Sequence, residues 1–232
     1  SYQTSRLHDM LAKGQPYSKY FNYGNLHHFI SFFIGKFLTL LGWETSFRLA
    51  AVSLYITQMF AYIATWFLGY LISYKITKSS SFSLANSTLL VFCSGMFYWS
   101  YHIHPDVVQL PFLLASIYFL SEPSYRNILI SAGLIGLATG TKYIGAVYGL
   151  MVFIVFTYLL LKESKLKLES QILINSIQRI LIKKNVLYGF IILGVFLSLF
   201  LITNYSIVTE FSSFLTALEN EARHVGIGHG HV

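Results

Sequence analysis

Residues 127–161 read NILISAGLIGLATGTKYIGAVYGLMVFIVFTYLLL. This apolar run is too long for one helix across a hydrocarbon layer of about 30 Å, which takes about 20 residues. The segment Thr139–Tyr143 holds a helix-weakening glycine and the only charge of the run, Lys142. We therefore expect two successive spans, 127–141 and 143–161, that meet at this lysine.

The composition indicates a membrane protein. Apolar residues make up 55% of the chain and charged residues only 11%, and the mean hydropathy is +0.59. Apolar runs separated by charged or turn residues predict an all-α, polytopic transmembrane helix bundle with about six spans. In chain order the predicted spans are 48–73, 83–101, 107–121, 127–141, 143–161 and 186–208. The net charge of +7 lies mostly between the spans, so we expect no nucleic-acid partner.

The spans divide the chain into three regions. Residues 1–47 are expected to form an extracytoplasmic first-loop segment. Its run Leu26–Leu41 predicts an interfacial or re-entrant helix, with a true span as the alternative. Residues 48–208 form the predicted transmembrane bundle, and residues 209–232 begin a further extracytoplasmic loop. The single cysteine, Cys93, excludes a disulfide framework.

Charged residues fall on two different faces if the six spans alternate in direction. One face receives most of the lysines and arginines and is therefore expected to be cytoplasmic. These residues are Lys75, Lys78, Arg126, Lys162, Lys165, Lys167, Arg179, Lys183 and Lys184. The other face receives Arg48, His102, His104, Asp106, Lys142, Glu219, Glu221, Arg223, His224, His229 and His231. Because transport paths usually place ionisable groups at mid-depth, this distribution favours an active site at the extracytoplasmic membrane surface.

The segment Tyr101–Asp106 lies between two apolar runs, where two histidines and a carboxylate are costly unless they are solvated, paired or used. His102, His104 and Asp106 could form a metal site, a general acid/base pair or a sugar-binding set. A turn at Pro105 could bring His104 and Asp106 together. The alternative is structural, with Asp106 capping the third span.

Lys142 ends a glycine-rich helix at the predicted membrane surface. An ammonium there could bind the phosphate of a lipid carrier. The alternative is a lysine whose side chain only extends to the lipid headgroups. Gly136 and Gly140 make a small-xxx-small pattern that favours close helix packing.

A second polar patch lies near the end of the sequence. Arg223, His224 and His229 stand among glycines and could bind phosphate, sugar or metal, or form a flexible loop.

Taken in order, these segments resemble the membrane-embedded glycosyltransferases of the GT-C superfold. The similarity is greatest to the dolichyl-phosphate-mannose protein mannosyltransferases and the bacterial lipid-A aminoarabinose transferases. It is carried by Pro16–Tyr17 with Tyr23–Leu26, Gly42 with Phe47–Leu49, Asp106 with Leu110–Phe112, Gly133–Ala138 through Thr141–Tyr143, and Glu221–His224 with Gly228–His229. Only the ordered set is informative, and it covers most of the chain.

The resemblance implies an inverting sugar transfer from a polyprenyl-phosphate donor to a lipid or protein acceptor. Asp106, with His104 as accessory, would serve catalysis, while the principal acid would precede Ser1 and leave the fragment inactive alone. Carrier phosphate would be bound at the matching basic and aromatic positions, which are Lys142, Tyr143, Arg48, Arg223, His224 and His229. No cofactor is implied with certainty, and a divalent metal ion at His104 and Asp106 is the alternative. A bacterial inner membrane, with the site facing outward, is the expected location.

Two other classes stay open at this point. A transporter or lipid flippase would use Asp106 and Lys142 in a translocation path, in contact with one another at mid-depth. A purely structural membrane subunit would place neither residue at a cavity.

Overall fold

The computed structural model describes residues 2–17, 24–93, 102–163 and 183–227, and these residues form helices joined by short turns, without strands. This part of the chain has ten α-helices: α1 Tyr2–Lys13, α2 Leu26–Leu40, α3 Phe47–Thr77, α4 Ser80–Phe92, α5 Pro105–Leu120, α6 Tyr125–Thr141, α7 Gly149–Glu163, α8 Lys183–Thr203, α9 Ser206–Thr209 and α10 Phe211–Ile227. A 3₁₀ helix, Tyr143–Tyr148, leads into α7. The predicted all-α class is confirmed for these residues.

Three stretches of the described chain are long and apolar enough to cross a membrane. They are Phe47–Thr77, Tyr143–Lys162 and Asn185–Thr203, at the first, fifth and sixth predicted spans. The chain is therefore best described as a membrane protein. The helices at the second, third and fourth predicted spans, α4, α5 and α6, have 13, 16 and 17 residues and fall short of a full crossing. A count of six spans is not confirmed, and residues 94–101 of the second prediction lie outside the described residues.

Contacts at both of their ends show that α3 and α5 run in the same direction. Gln58 of α3 donates from Nε2 to the carbonyl oxygen of His102, 2.8 Å away, just before α5 begins. At the far end, Nζ of Lys75 on α3 lies 2.7 Å from Oε1 of Glu122, just after α5. Because Asp106 lies in the first turn of α5, we name these two levels the Asp106 end and the Lys75 end.

The other long helices alternate between these two ends. α6 runs antiparallel to α5, since Ser131 donates to the Ser116 carbonyl at 3.1 Å and Gln109 donates to the Ala138 carbonyl at 3.0 Å. α7 runs toward the Lys75 end, and α8 runs back toward the Asp106 end, beside α6. The predicted segregation of lysines from the histidine-rich junction is therefore present in the packing.

The glycine face of α6 packs directly against α8. A Cβ atom on Gly136 would lie 2.5 Å from the carbonyl oxygen of Phe196, and one on Gly140 would lie 2.3 Å from Oγ1 of Thr203. Side chains at these two positions would push the helices apart, which is the reason small residues line such contacts in membrane helices. The predicted packing role of both glycines is confirmed.

The helices α1 and α2 pack on the N-terminal half of α3. Leu7 and Leu11 of α1 are buried in one apolar cluster with Leu49 and Leu54 of α3. α2 has 15 residues, which is short of a bilayer crossing, and it buries one face against α3. Ser31 on that face places its Oγ 2.7 Å from Thr57 Oγ1. The region predicted as a first loop is therefore two helices docked on the bundle.

The expected break in residues 127–161 is confirmed. α6 ends at Thr141, Lys142 has extended backbone angles of φ −150° and ψ 127°, and the chain restarts as the 3₁₀ helix.

One other predicted boundary is wrong. The last span ends at Thr203 rather than at 208, because the Asn204 side chain bonds the Phe200 carbonyl and closes the helix. The region 209–232, expected to begin an extracytoplasmic loop, contains the helix α10, whose apolar residues have regular helical spacing.

We expect Gly136→Ala to destabilise the protein by about 1–3 kcal/mol, the usual effect of overpacking a close backbone contact. The measurement is thermal unfolding in detergent micelles. Gly194→Ala on α8 is the matched control, since a Cβ there meets nothing within 4 Å. Removing a helical glycine at that position should leave stability unchanged or raise it slightly. Equal unfolding temperatures for the two variants would contradict the packing assignment.

Candidate functional site

An ion pair joins the start of α5 to the end of α6. Nζ of Lys142, the residue directly after α6, lies 2.9 Å from Oδ1 and 3.2 Å from Oδ2 of Asp106. The two side chains are 32% and 38% exposed, so the pair is reachable from outside the helices. Two residues that the sequence analysis placed at separate junctions therefore form one charged site.

His104 completes this site as the N-cap of α5. Its Nδ1 lies 3.4 Å from the backbone nitrogen of Asp106 and 3.4 Å from Asp106 Oδ2. The predicted turn at Pro105 does bring the two side chains together. The prediction that Asp106 caps the helix is wrong, because His104 occupies the cap and Asp106 falls in the first turn, where the helix dipole favours a carboxylate.

Burial lowers the pKa of the His104 imidazole below its ordinary value of 6.5. The carboxylate of Asp106 opposes this shift, while the ammonium of Lys142 adds to it. His104 is therefore neutral at pH 7 and able to accept a proton.

Two glutamines hold the backbone on either side of the ion pair. Gln58 bonds the His102 carbonyl, as described above. Gln109 of α5 donates from Nε2 to the Ala138 carbonyl and, at 2.9 Å, to the Lys142 carbonyl. Each carbonyl also accepts a backbone N–H, from Lys142 at 3.1 Å and from Gly145 at 2.9 Å, so Gln109 is a second donor that ties α5 to the end of α6 beside Lys142. The sequence analysis missed both residues, although a lone glutamine in an apolar helix is a recognisable signal.

A second polar group lies beside the pair and ties three distant segments together. The guanidinium of Arg6 donates to Oδ1 of Asn25. The Asn25 backbone N–H donates to Oδ1 of Asn204 at 2.8 Å, and its Nδ2 donates to Ser206 Oγ at 3.2 Å. Asn204 in turn donates to the Gly140 carbonyl at 3.3 Å, two residues before Lys142. Arg6, Asn25 and Asn204 are buried, and the sequence analysis did not identify them as site residues.

His27 and His28 are buried close to these groups, and their side chains are 2% and 0% exposed. Their ring centroids are 3.8 Å apart, and His27 Nε2 lies 3.3 Å from Gln3 Oε1. His27 interacts electrostatically with Arg6 and with His104. Two histidines that the sequence placed in an apolar run are therefore part of the same polar region.

Arg48 and Tyr143, two further predicted site residues, lie outside the group of His104, Asp106 and Lys142. Arg48 is exposed in the first turn of α3, ten residues and about 15 Å of helix from Gln58, so the structure does not bring it to the pair. Tyr143 directly follows Lys142 and packs edge-on against Phe214, with ring centroids 5.5 Å apart.

The structure describes the backbone of only two of the three C-terminal candidates. Arg223 and His224 lie on the helix α10, and His229 lies outside the described residues.

The described residues contain no group of three His, Cys, Asp or Glu side chains able to hold a metal ion. His104 and Asp106 therefore lack a third ligand of these types in this part of the chain.

The length of α3 gives a scale for the position of the ion pair along the bundle. Gln58, at the level of the pair, and Lys75, at the opposite ion pair, are 17 residues apart on α3, or about 26 Å along the helix. A bilayer's hydrocarbon core is about 30 Å thick. α3 also continues for eleven residues before Gln58, to Phe47, so the level of the pair lies within the length of this candidate span.

No protein-family model, curated protein or solved structure matches this chain. The fold and the site therefore define an all-helical membrane protein with a charged site at one end.

We expect the unfolding temperature to fall with pH because of His104. The native state holds the imidazole neutral, whereas the unfolded chain takes up a proton below pH 6.5, so the native state loses stability as the pH falls through that value. His104→Asn keeps a capping side chain but removes the titration. The measurement is thermal unfolding of both proteins from pH 8 to pH 5. The unfolding temperature of the wild type should drop relative to the variant, and a constant difference would contradict the assignment.

Proposed function

We propose that this chain is part of an integral-membrane glycosyltransferase that moves a sugar from a polyprenyl-phosphate donor to an acceptor at the extracytoplasmic membrane surface. The observation that carries the proposal is the meeting of His104, Asp106 and Lys142 at helix ends, a level that we assign to the edge of the apolar layer. At that depth a lipid-borne donor and a water-borne acceptor can reach the same groups.

The three side chains suit the charges that such a transfer creates. The C1–O bond to the donor phosphate breaks, the acceptor oxygen bonds to C1, and the lipid phosphate leaves as an anion. Lys142 neutralises this leaving group. The proton of the acceptor hydroxyl passes to the neutral imidazole of His104, and the Asp106 carboxylate, 3.4 Å from Nδ1, stabilises the imidazolium.

The Asp106–Lys142 contact gives the site a way to respond to the donor. A donor phosphate that approaches Lys142 competes with Asp106 for the ammonium. Donor binding then leaves the Asp106 carboxylate to interact with His104 and the acceptor.

An apolar cavity supports a lipid substrate. About 550 Å³ of space lies between α6, α7 and α8. It is lined by apolar side chains and glycines, including Ile135, Gly149, Val152, Phe156, Leu193 and Phe196. Phe196 stacks on Phe200, and Phe200 contacts Tyr143, beside Lys142. A row of aromatic contacts therefore links the lining of the cavity to the residue next to Lys142.

A lipid flippase or transporter is the second candidate, because Asp106 and Lys142 are in direct contact. A translocation path would hold them near mid-depth, whereas the proposed transferase holds them near the surface. Sugar release and lipid movement separate the two candidates.

The test measures sugar release from a labelled polyprenyl-phosphate sugar in proteoliposomes, using the complete protein with any sequence that flanks residues 1–232. Asp106→Asn and Lys142→Ala should each lower transfer by about 100-fold, the usual contribution of a positioned acid/base or charge-stabilising group. Undiminished transfer in both variants would refute the site.

The matched controls are Lys75→Ala and Glu122→Gln, which break the ion pair at the opposite end of the same helices. Transfer in these variants should equal that of the wild type. In a parallel assay, movement of the intact donor between leaflets without sugar release would identify the flippase instead.

A further inference from the structure

α10 is an amphipathic helix that the rest of the described chain covers only in part. Its apolar residues recur with the spacing of one helix face. In the first ten residues they are Phe211, Phe214, Leu215 and Leu218, whereas Ser212, Ser213, Thr216, Glu219 and Asn220 lie on the other faces. Phe211 is 57% and Leu215 44% exposed, so much of the apolar face has no cover from this part of the chain.

The start of α10 is held at the Asp106 end. Ser206 of the short helix α9 accepts a hydrogen bond from Asn25, which is tied to the end of α6 through Asn204. Five residues after Ser206, α10 begins, and its Phe214 packs against Tyr143. The helix therefore starts beside Lys142, at the level of the ion pair.

The uncovered face of α10 continues the surface that α8 presents to lipid. Only 6% of the most apolar 18-residue stretch of α8 is buried within the protein. The exposed apolar surface runs on through Ile202, Tyr205 and Val208 to Phe211 and Leu215. One apolar surface thus passes from a span to α10, which indicates that the same bilayer covers both.

α10 is unsuited to crossing the bilayer itself. It carries Glu219, Glu221 and Arg223 within 17 residues, and each charge is costly in the hydrocarbon core. A helix with one apolar face, one charged face and low overall hydrophobicity instead lies in the plane of the membrane interface.

We propose that α10 lies flat on the bilayer surface, with its Phe211, Leu215 and Leu218 face among the lipid chains, and that it thereby holds the Asp106–Lys142 pair at headgroup depth. Such helices bury their apolar face about 5–10 Å into the boundary between headgroups and acyl chains. The partner of this surface is the phospholipid bilayer. The proposal holds whether or not the chain transfers sugar.

The test measures the depth of single residues by spin labelling. A nitroxide is attached in turn to cysteines at positions 211–220, in a Cys93→Ser background that removes the exposed native thiol. The complete protein is placed in nanodiscs of phosphatidylcholine and phosphatidylglycerol. Collision rates are then measured with oxygen, which concentrates among lipid chains, and with a water-soluble nickel chelate.

The ratio of oxygen to nickel collisions should oscillate with the helical period of 3.6 residues. Phe211→Cys and Leu215→Cys are expected to give high ratios, and their neighbours Ser212→Cys and Thr216→Cys are matched controls with low ratios. Ile202→Cys on α8, at a position that is 55% exposed on the apolar surface, serves as the lipid-facing reference.

Three outcomes would overturn the proposal. High nickel rates at both Phe211→Cys and Leu215→Cys would place the helix in water. Low rates with both reagents would show that protein, such as a second copy, covers the face. High oxygen rates without oscillation would place the helix inside the hydrocarbon.

Discussion

The close approach of α8 to the glycine face of α6 controls the arrangement of the Asp106 end. With no side chain at Gly136 and Gly140, the backbone of Phe196 and the side chain of Thr203 come within contact of α6. Asn204 then reaches the Gly140 carbonyl and the Asn25 N–H at once. The same contact brings the turn that follows α8 beside Lys142. Larger residues on this face would separate the N-terminal segment, α6 and α8, and the polar groups would lose their partners.

The polar residues at this end follow from that packing because buried polar groups need partners. Gln109 bonds the Ala138 and Lys142 carbonyls at the end of α6, and Asn25 and Asn204 bond each other. The pair of Asp106 and Lys142 differs from them, since both side chains are about a third exposed. Structural hydrogen bonds therefore surround a charged contact that ligands can reach, and this supports a functional use of the pair over a purely structural one.

Part of the candidate site could be predicted because its residues are unusual for their surroundings. His104, Asp106 and Lys142 are ionisable groups next to long apolar runs, where charge is costly. Their partners carried weaker signals. Arg6 lies in a polar helix, and Asn25, Gln58 and Asn204 are uncharged residues of types that are common in turns and helix surfaces. They meet only because segments up to 181 residues apart dock together, and no local spacing encodes such a contact.

The sequence by itself determined the helical class, the three long apolar helices, the break at Lys142 and the separation of lysines from the histidine-rich junction, because each depends on local hydropathy, glycine and charge. Only the tertiary structure decided that His104 caps α5, that Lys142 pairs with Asp106, and that the last long helix stops at Thr203. It also decided that Arg48 stands apart from the pair. The ion pair depends on the approach of α5 to α6, and the cap and the helix end depend on which hydrogen bonds His104 and Asn204 form among those open to them, so hydropathy and charge alone do not fix these outcomes.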